Sequence, residues 1–275
     1  RVVRNSTDVN QEPNIQLRGE SPVLVIDGVP YGNVSLRDSP ADDIAEMSVG
    51  KGSTAAALYG ARGSNGAIMI STKKGTKSGG LSVTLNSNTM FNLGYLAIPE
   101  VQTSYAHGKN GKISTDYVWG PKLDIGDSAM QWNPKTKQEE MMPLISSGKN
   151  NLHNVMQTGI ITSNNISVTK SGENGYFRAG LNHVYNKGQF PNENLNIINY
   201  TMSGQIKMGD KFDLEGHMGY TRQTAPQIWG RGYNAQGYLY QILIWTGPDY
   251  DIRDYKDYWV TPNVKQNWLY NAWYD

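Results

Sequence analysis

Cysteine is absent from the 275 residues. That removes disulfide scaffolds, thiolate zinc sites and cysteine nucleophiles together, and leaves the compartment open. A dominant charge sign is missing as well: 25 Lys+Arg stand against 24 Asp+Glu, for a net charge of +1, without the basic stripe that nucleic-acid binders carry. Long apolar runs are lacking. The longest, Val23–Ile26, Ala55–Tyr59 and Ile242–Trp245, fall far short of the roughly 18 residues that a spanning helix needs. The four histidines, 107, 153, 183 and 217, show no metal-ligand spacing, and neither HExxH nor GxSxG occurs. The series Asp249, Asp251, Asp254, Asp257 lacks the mid-loop glycine and terminal glutamate of a calcium loop and reads as a solvated loop. Gly60-Ala-Arg-Gly63 and Gly230-Arg-Gly232 carry no more of a phosphate-binding fingerprint and read as tight turns. The expectation is a protein with no catalytic residues, no metal and no cofactor, and hence not an enzyme.

What is present is polar-tipped aromatic surface and turn chemistry. Tyr 17 and Trp 7 far outnumber Phe 4, and Gly 30 joins 26 Asn. Such aromatics suit membrane–water belts, wet interfaces and sugar-binding grooves.

The chain has two textures. Up to about residue 76 it reads as a compact α+β unit. Val23-Leu-Val-Ile26 is a buried strand, Asp27-Gly-Val-Pro30 a turn, and Ile44 to Val49 a half-buried strand. Ser53 is placed as the N-cap of a short helix over 54–59, closed by Gly60, and Ala67–Thr72 is a further strand. From Leu81 the period becomes two. Leu81, Val83, Leu85 and Phe91 share one face; Ile198, Tyr200, Met202, Ile206 and Met208 alternate with Asn199, Thr201, Ser203, Gln205 and Lys207. Beyond a turn at 209–211, Phe212, Leu214, Met218 and Tyr220 alternate with Asp213, Glu215, His217 and Thr221, and a further hairpin spans about 160–185 around a turn at 171–175. Eleven residues of strict alternation exceed the usual ~5–6 of a globular strand and match the ~9–11 of a tilted membrane strand. Short links alternate with long ones: 171–175 and 209–211 are tight, 188–195 is intermediate, and 93–158, expected to be irregular, and 224–275 are long. Membrane barrels segregate links in this way. A soluble sandwich also alternates faces, and pattern alone leaves both architectures open.

One stretch carries more. Ile15-Gln-Leu-Arg-Gly19, Ser21-Pro-Val-Leu-Val-Ile-Asp-Gly-Val-Pro30, Asp43-Ile44 and Ser53-Thr-Ala-Ala-Ala-Leu-Tyr-Gly-Ala-Arg-Gly-Ser-Asn-Gly-Ala-Ile-Met-Ile-Ser-Thr-Lys-Lys-Gly75 closely resemble, in order, the plug of SusC/RagA-type TonB-dependent outer-membrane transporters. Val118-Trp-Gly-Pro-Lys-Leu-Asp124 and Asn164-Asn-Ile-Ser-Val168 with Gly175-Tyr-Phe-Arg178 are similar to a loop and an early hairpin of that family. Two places depart from it: the link between Gly19 and Val23 is short, and Ser48-Val-Gly-Lys-Gly52 replaces a more acidic run.

The resemblance implies a membrane β-barrel of about 22 antiparallel strands, only the first few of which lie here, with an N-terminal α+β plug in the lumen. It divides the chain into 1–76, plug, and 77–275, the start of the barrel with long extracellular loops at about 93–158 and 224–275. It implies TonB-dependent import of oligosaccharides or oligopeptides across the outer membrane of a Gram-negative, Bacteroidetes-like bacterium. The expected partners are a SusD-like surface lipoprotein as lid, TonB through a segment upstream of Arg1, and outer-membrane lipid; nucleic acid is not expected. Plug–barrel lock candidates are Arg18, Asp27, Glu46, Arg62, Asp213 and Glu215. Substrate or lid contact candidates are Trp229, Tyr233, Tyr238, Tyr240, Trp245, Tyr250, Tyr258 and Trp259. The competing class is a non-transporting glycan-binding or adhesion β protein at the cell surface.

Overall fold

The structure, a computed structural model, describes residues 2–3, 14–32, 34–75, 79–93, 100–114, 117–209, 211–226, 242, 244 and 246–266. In chain order the elements are β1 (Val2–Val3), β2 (Asn14–Ile15), β3 (Val23–Ile26), β4 (Val29–Tyr31), β5 (Ile44–Gly50), α1 (Gly52–Tyr59), β6 (Ala67–Thr72), β7 (Gly80–Asn92), β8 (Ser128–Asn133), β9 (Gln138–Pro143), α2 (Asn151–Asn154), β10 (Gly159–Gly172), β11 (Gly175–Lys187), β12 (Asn194–Met208), β13 (Phe212–Thr224), β14 (Trp259–Thr261) and β15 (Val264–Lys265). They fall into two compact units. One holds β1–β7 and β10–β13, and the other holds the long connection after β7 together with the segment beyond residue 226.

Within the first unit, β3–β6 form a four-stranded sheet of order β4-β3-β6-β5, with β3 and β6 parallel and the other pairs antiparallel. Alternation sends Leu24, Ile68 and Ile70 to one face, where Val34, Leu36 and Ile44 join them. It sends Val25 and Ala67 to the other, under Ala55 and Tyr59 of α1. The β3–β4 link is tighter than the sequence pattern implies. Only Asp27 (φ 47°) and Gly28 (φ 85°) turn, while Val29 and Pro30 already pair in β4. Two consecutive left-handed residues are the signature of a two-residue hairpin whose twist matches its strands.

Two further expectations are corrected here. α1 begins at Gly52 with Lys51 as its N-cap, without a side-chain capping bond, so Ser53 lies inside the helix. Gly60 does close it, at φ 62°, with its N–H bonded to the Ala56 carbonyl. β5 is an edge strand whose Met47 and Val49 are exposed rather than half-buried.

The five long strands make one antiparallel sheet of order β13-β12-β11-β10-β7. Their 13 to 15 residues exceed the eleven read from alternation, because pairing continues through polar residues at the ends. The tight turns reduce to the links between Gly172 and Gly175 and between Met208 and Phe212. Register pairs Gly159 with Asn92 and Lys187 with Asn194, so the longer links leave from the opposite end of the sheet. The sheet does not close on itself. One face is a broad apolar surface open to the surroundings, with Leu85 73%, Ile166 43%, Leu181 38%, Tyr200 49% and Tyr220 58% exposed along a single cross-strand row.

The second unit has its own small cores, around Leu152, Val155 and Ile252, and around Ala106, Leu123 and Leu144. The connection after β7 is not irregular throughout: β8 and β9 form a hairpin over Ser128–Pro143, and α2 follows.

Candidate functional site

Over its middle rows the other face of the five-stranded sheet is polar, and the four-stranded sheet is seated there; nearer the Lys187–Asn194 end the same face turns apolar at Val184, Leu195 and Ile197. Register lines up Asn86, Asn165, Asn182, Asn199 and Thr221 in one row across the five strands. The next row is Thr84, Ser167, Gly180, Thr201 and Gly219, and the one after it is Ser82, Thr169, Arg178, Ser203 and His217. This surface offers short, mostly neutral donors and acceptors. Asn182 Nδ2 donates to Asn199 Oδ1 at 3.1 Å, and Asn199 Nδ2 donates to Thr221 Oγ1 at 2.9 Å. Among the described residues Asn165, 2% exposed, is the member of its row whose amide has no partner.

Against these rows lies the plug segment of two short 3₁₀ turns, Leu36–Asp38 and Ala41–Asp43. Ser35 and Asp38 cap the first turn reciprocally, with Ser35 Oγ accepting from Arg37 N and Asp38 Oδ2 accepting from Ser35 N. The turn therefore presents its backbone outward. Asp38 O accepts from Asn199 Nδ2 and Thr221 Oγ1, each at 3.4 Å, and Asp38 Oδ1 accepts from Gln223 Nε2 at 3.2 Å. Asp42 Oδ1 accepts from Asn86 Nδ2 at 2.8 Å.

Asp43 is held most closely. Its Oδ1 receives Arg178 Nη2 at 2.6 Å and its Oδ2 receives Thr201 Oγ1 at 2.6 Å. Both charged side chains are nearly buried, Arg178 at 12% and Asp43 at 9% exposure. Room for the carboxylate comes from Gly180, where a Cβ would stand 3.3 Å from Asp43 Oδ1 and 2.8 Å from Thr201 Oγ1. Beside this seat is a cavity of about 280 Å³, lined by apolar Ile26, Val34 and Ile70 and by polar Lys73, Arg178 and His217, roomy enough for water along its polar side. A second, more exposed pair links the segment after β6 to β13: Lys74 Nζ stands 2.5 Å from Glu215 Oε1. The hydrogen bond to Glu215 raises the Lys74 pKa above its ordinary 10.5. At 45% and 41% side-chain exposure, water screens this pair and it adds little to stability.

The residues singled out in the sequence divide as follows. Glu215 meets Lys74. Asp27 bonds within the plug, accepting from Thr72 N at 2.8 Å and Thr72 Oγ1 at 2.7 Å, and so ties the β3–β4 turn to the end of β6. Arg18 is exposed with φ 56°. Glu46, Arg62 and Asp213 are exposed too, and among the described residues these four make no ion pair. Asp43, Arg178 and Thr201 were not singled out as a group, because their meeting depends on a register that alternation does not fix.

In the second unit, Tyr250 packs edge-on against Tyr255 at 5.0 Å between ring centroids, and Tyr258 against Trp259 at 5.1 Å. Burial raises the phenol pKa of both Tyr250 and Tyr255. Trp229, Tyr233, Tyr238, Tyr240 and Trp245 lie outside the described residues. The aspartate series is not simply solvated. Asp249 Oδ2 is fully buried at 2.5 Å from His107 Nδ1, while Asp251 pairs with Arg253, Asp254 with Lys135 and Asp257 with Lys137.

Comparison with known proteins places this geometry. The family described as TonB-dependent Receptor Plug Domain matches residues 1–67. The TonB-dependent receptor SusC of Bacteroides thetaiotaomicron is 26% identical over 206 residues, which are 68% of this chain and 18% of SusC. The TonB-dependent receptor P3 of Formosa agariphila is 33% identical over 121 residues, 43% of this chain and 11% of that protein. Among solved structures, the RagAB peptide importer in its closed-closed state superposes with a TM-score of 0.62 at 14% identity, over 90% of this chain and 30% of that one. The chain thus spans less than a third of the length of any of these relatives. Plug signature, sequence relatives and shared fold agree: the chain belongs to the SusC/RagA-type TonB-dependent receptors, of which it carries the plug and strands of the barrel wall.

Proposed function

We propose that the protein imports oligomeric nutrients, oligosaccharides or oligopeptides, across the bacterial outer membrane, and that displacement of its plug opens the path. One observation carries the reading. The plug is held to the sheet by hydrogen bonds and ion pairs, while the opposite face of that sheet is apolar and exposed. An apolar outer face suits acyl chains. Polar contacts that water can replace suit a plug that must come out and return, where a packed apolar seam would resist every cycle. In this reading the plug extends to about residue 76 and the wall starts at 77. TonB supplies the pull from the periplasm, and a SusD-like lipoprotein caps the outer mouth, where Tyr250, Tyr258 and Trp259 and the aromatics of 227–245 meet cargo or lid. The neighbour named as a peptide importer supports the peptide side of this reading, and SusC, named as a TonB-dependent receptor, supports TonB dependence and no particular cargo.

Native mass spectrometry of the receptor, extracted in mild detergent from its own outer membrane, tests this. The expected result is a species well above the 30.5 kDa of this chain, bound to a lipoprotein and retaining an oligosaccharide or peptide. A lone species that stays dissolved after detergent removal would overturn the barrel and with it the transport reading, leaving the glycan-binding or adhesion alternative.

A further inference from the structure

We infer that Asp43, seated on Arg178, Thr201 and Gly180, is the contact that fixes the plug in its closed position, and that the asparagine row beside it serves as a neutral bed. This rests on the transport reading and adds the residues that regulate it. The argument is one of contrast between contacts on the same face. The plug's bonds to Asn86, Asn199, Thr221 and Gln223 run from 2.8 to 3.4 Å and involve amides, a hydroxyl, a carbonyl and partly exposed carboxylates. Each can be exchanged for water at little cost. The Asp43–Arg178 pair is short, charge-assisted and nearly desolvated, so pulling the two apart strands two charges until water reaches them. Its geometry is also built on both sides. Gly180 leaves the notch the carboxylate fills, and Thr201 occupies the second oxygen. On the plug side, the Asp43 carbonyl accepts from Lys73 N at 2.8 Å, which couples the seat to the end of β6 and the Lys74 contact that follows. The adjoining cavity supplies room for the water that must enter as the pair separates. Asp43 and Arg178 are assigned as positioning residues that act on the plug.

The test uses the whole receptor in the outer membrane of cells lacking TonB and given no cargo, so that it reads the seat whatever is imported. Ser167, the register partner of Gly180, is buried beside the seat. Ser167→Cys therefore reports plug displacement through its labelling rate with a polar maleimide, read on the labelled peptide by mass spectrometry. Asp43→Asn and Arg178→Gln are expected to raise that rate roughly a hundredfold, the order set by removing one partner of a buried ion pair. Arg178→Lys, which keeps the charge and leaves the notch open, is expected to label more slowly than Arg178→Gln. Gly180→Ala, which fills the notch without touching a charge, is expected to act like Asp43→Asn and serves if the charge variants fail to reach the membrane. Unchanged labelling in the single variants and in Gly180→Ala would overturn the inference, as would Arg178→Lys labelling as fast as Arg178→Gln.

Discussion

Asp27 and Asp43 carry the same carboxylate to different ends. Asp27 faces inward to Thr72 and holds the plug together, while Asp43 faces outward to Arg178 and holds the plug in place. Asp27→Ala therefore leaves the part-buried Thr72 N–H and hydroxyl unsatisfied. It is expected to cost about 1–3 kcal/mol and to lower the thermal unfolding midpoint of the detergent-solubilised receptor. Asp27→Asn, which keeps an acceptor and tolerates φ 47°, is expected to lose less. At Gly63 the reason for glycine is contact: a Cβ would lie 2.2 Å from the Ala55 carbonyl oxygen. Gly63→Ala must push α1 off the Val25–Ala67 face, and it is expected to reduce folded receptor in the membrane, read by protease protection of the plug.

At the scale of elements, the loop unit shows acid-sensitive ties. Hydrogen bonds from the Ser146 hydroxyl and amide hold the Asp124 pKa below its ordinary 3.8. A depressed folded pKa means this tie is fully present above about pH 3.8 and is lost as pH falls through the lower folded value. Protection of the Ser146 amide against hydrogen exchange, corrected for the intrinsic rate, is expected to drop over that window and to be absent at all pH values in Asp124→Ala. The sequence made some elements legible and hid others, for physical reasons. β10–β11 and β12–β13 meet across turns so short that their pairing follows once the turn is placed. The β7–β10 and β11–β12 pairs close over longer links, and a link that long leaves register free by any even number of residues. The asparagine row and the Asp43 seat are defined only when all four pairings are known. Alternation marks Asn199 as a polar-face residue, but does not show Asn182, Asn165 and Asn86 to be its neighbours in the row. The helix starts two residues before the expected position because Ser53 offers a capping side chain that the chain does not use.

For the whole molecule, the two faces of the five-stranded sheet make opposite demands on a substitution. Val83 belongs to the exposed apolar face and Asn88 to the polar one. Val83→Arg is expected to cost about 2–4 kcal/mol if it lies near the bilayer midplane, and to reduce heat-resistant, folded receptor on gels. Asn88→Arg is expected to leave assembly near the unsubstituted level, and equal effects at the two positions would contradict a lipid-facing outer surface. The polar face has a further consequence. The rows through Asn182 and Gly180 carry short, neutral side chains, so a plug shifted between these two rows trades like for like. In mechanical terms these two rows are a low-friction stretch with a buried detent at Asp43 and a weaker, water-screened one at Lys74–Glu215. Force is then required at the start of travel rather than throughout it, and a brief tug suffices where sustained pulling would otherwise be needed.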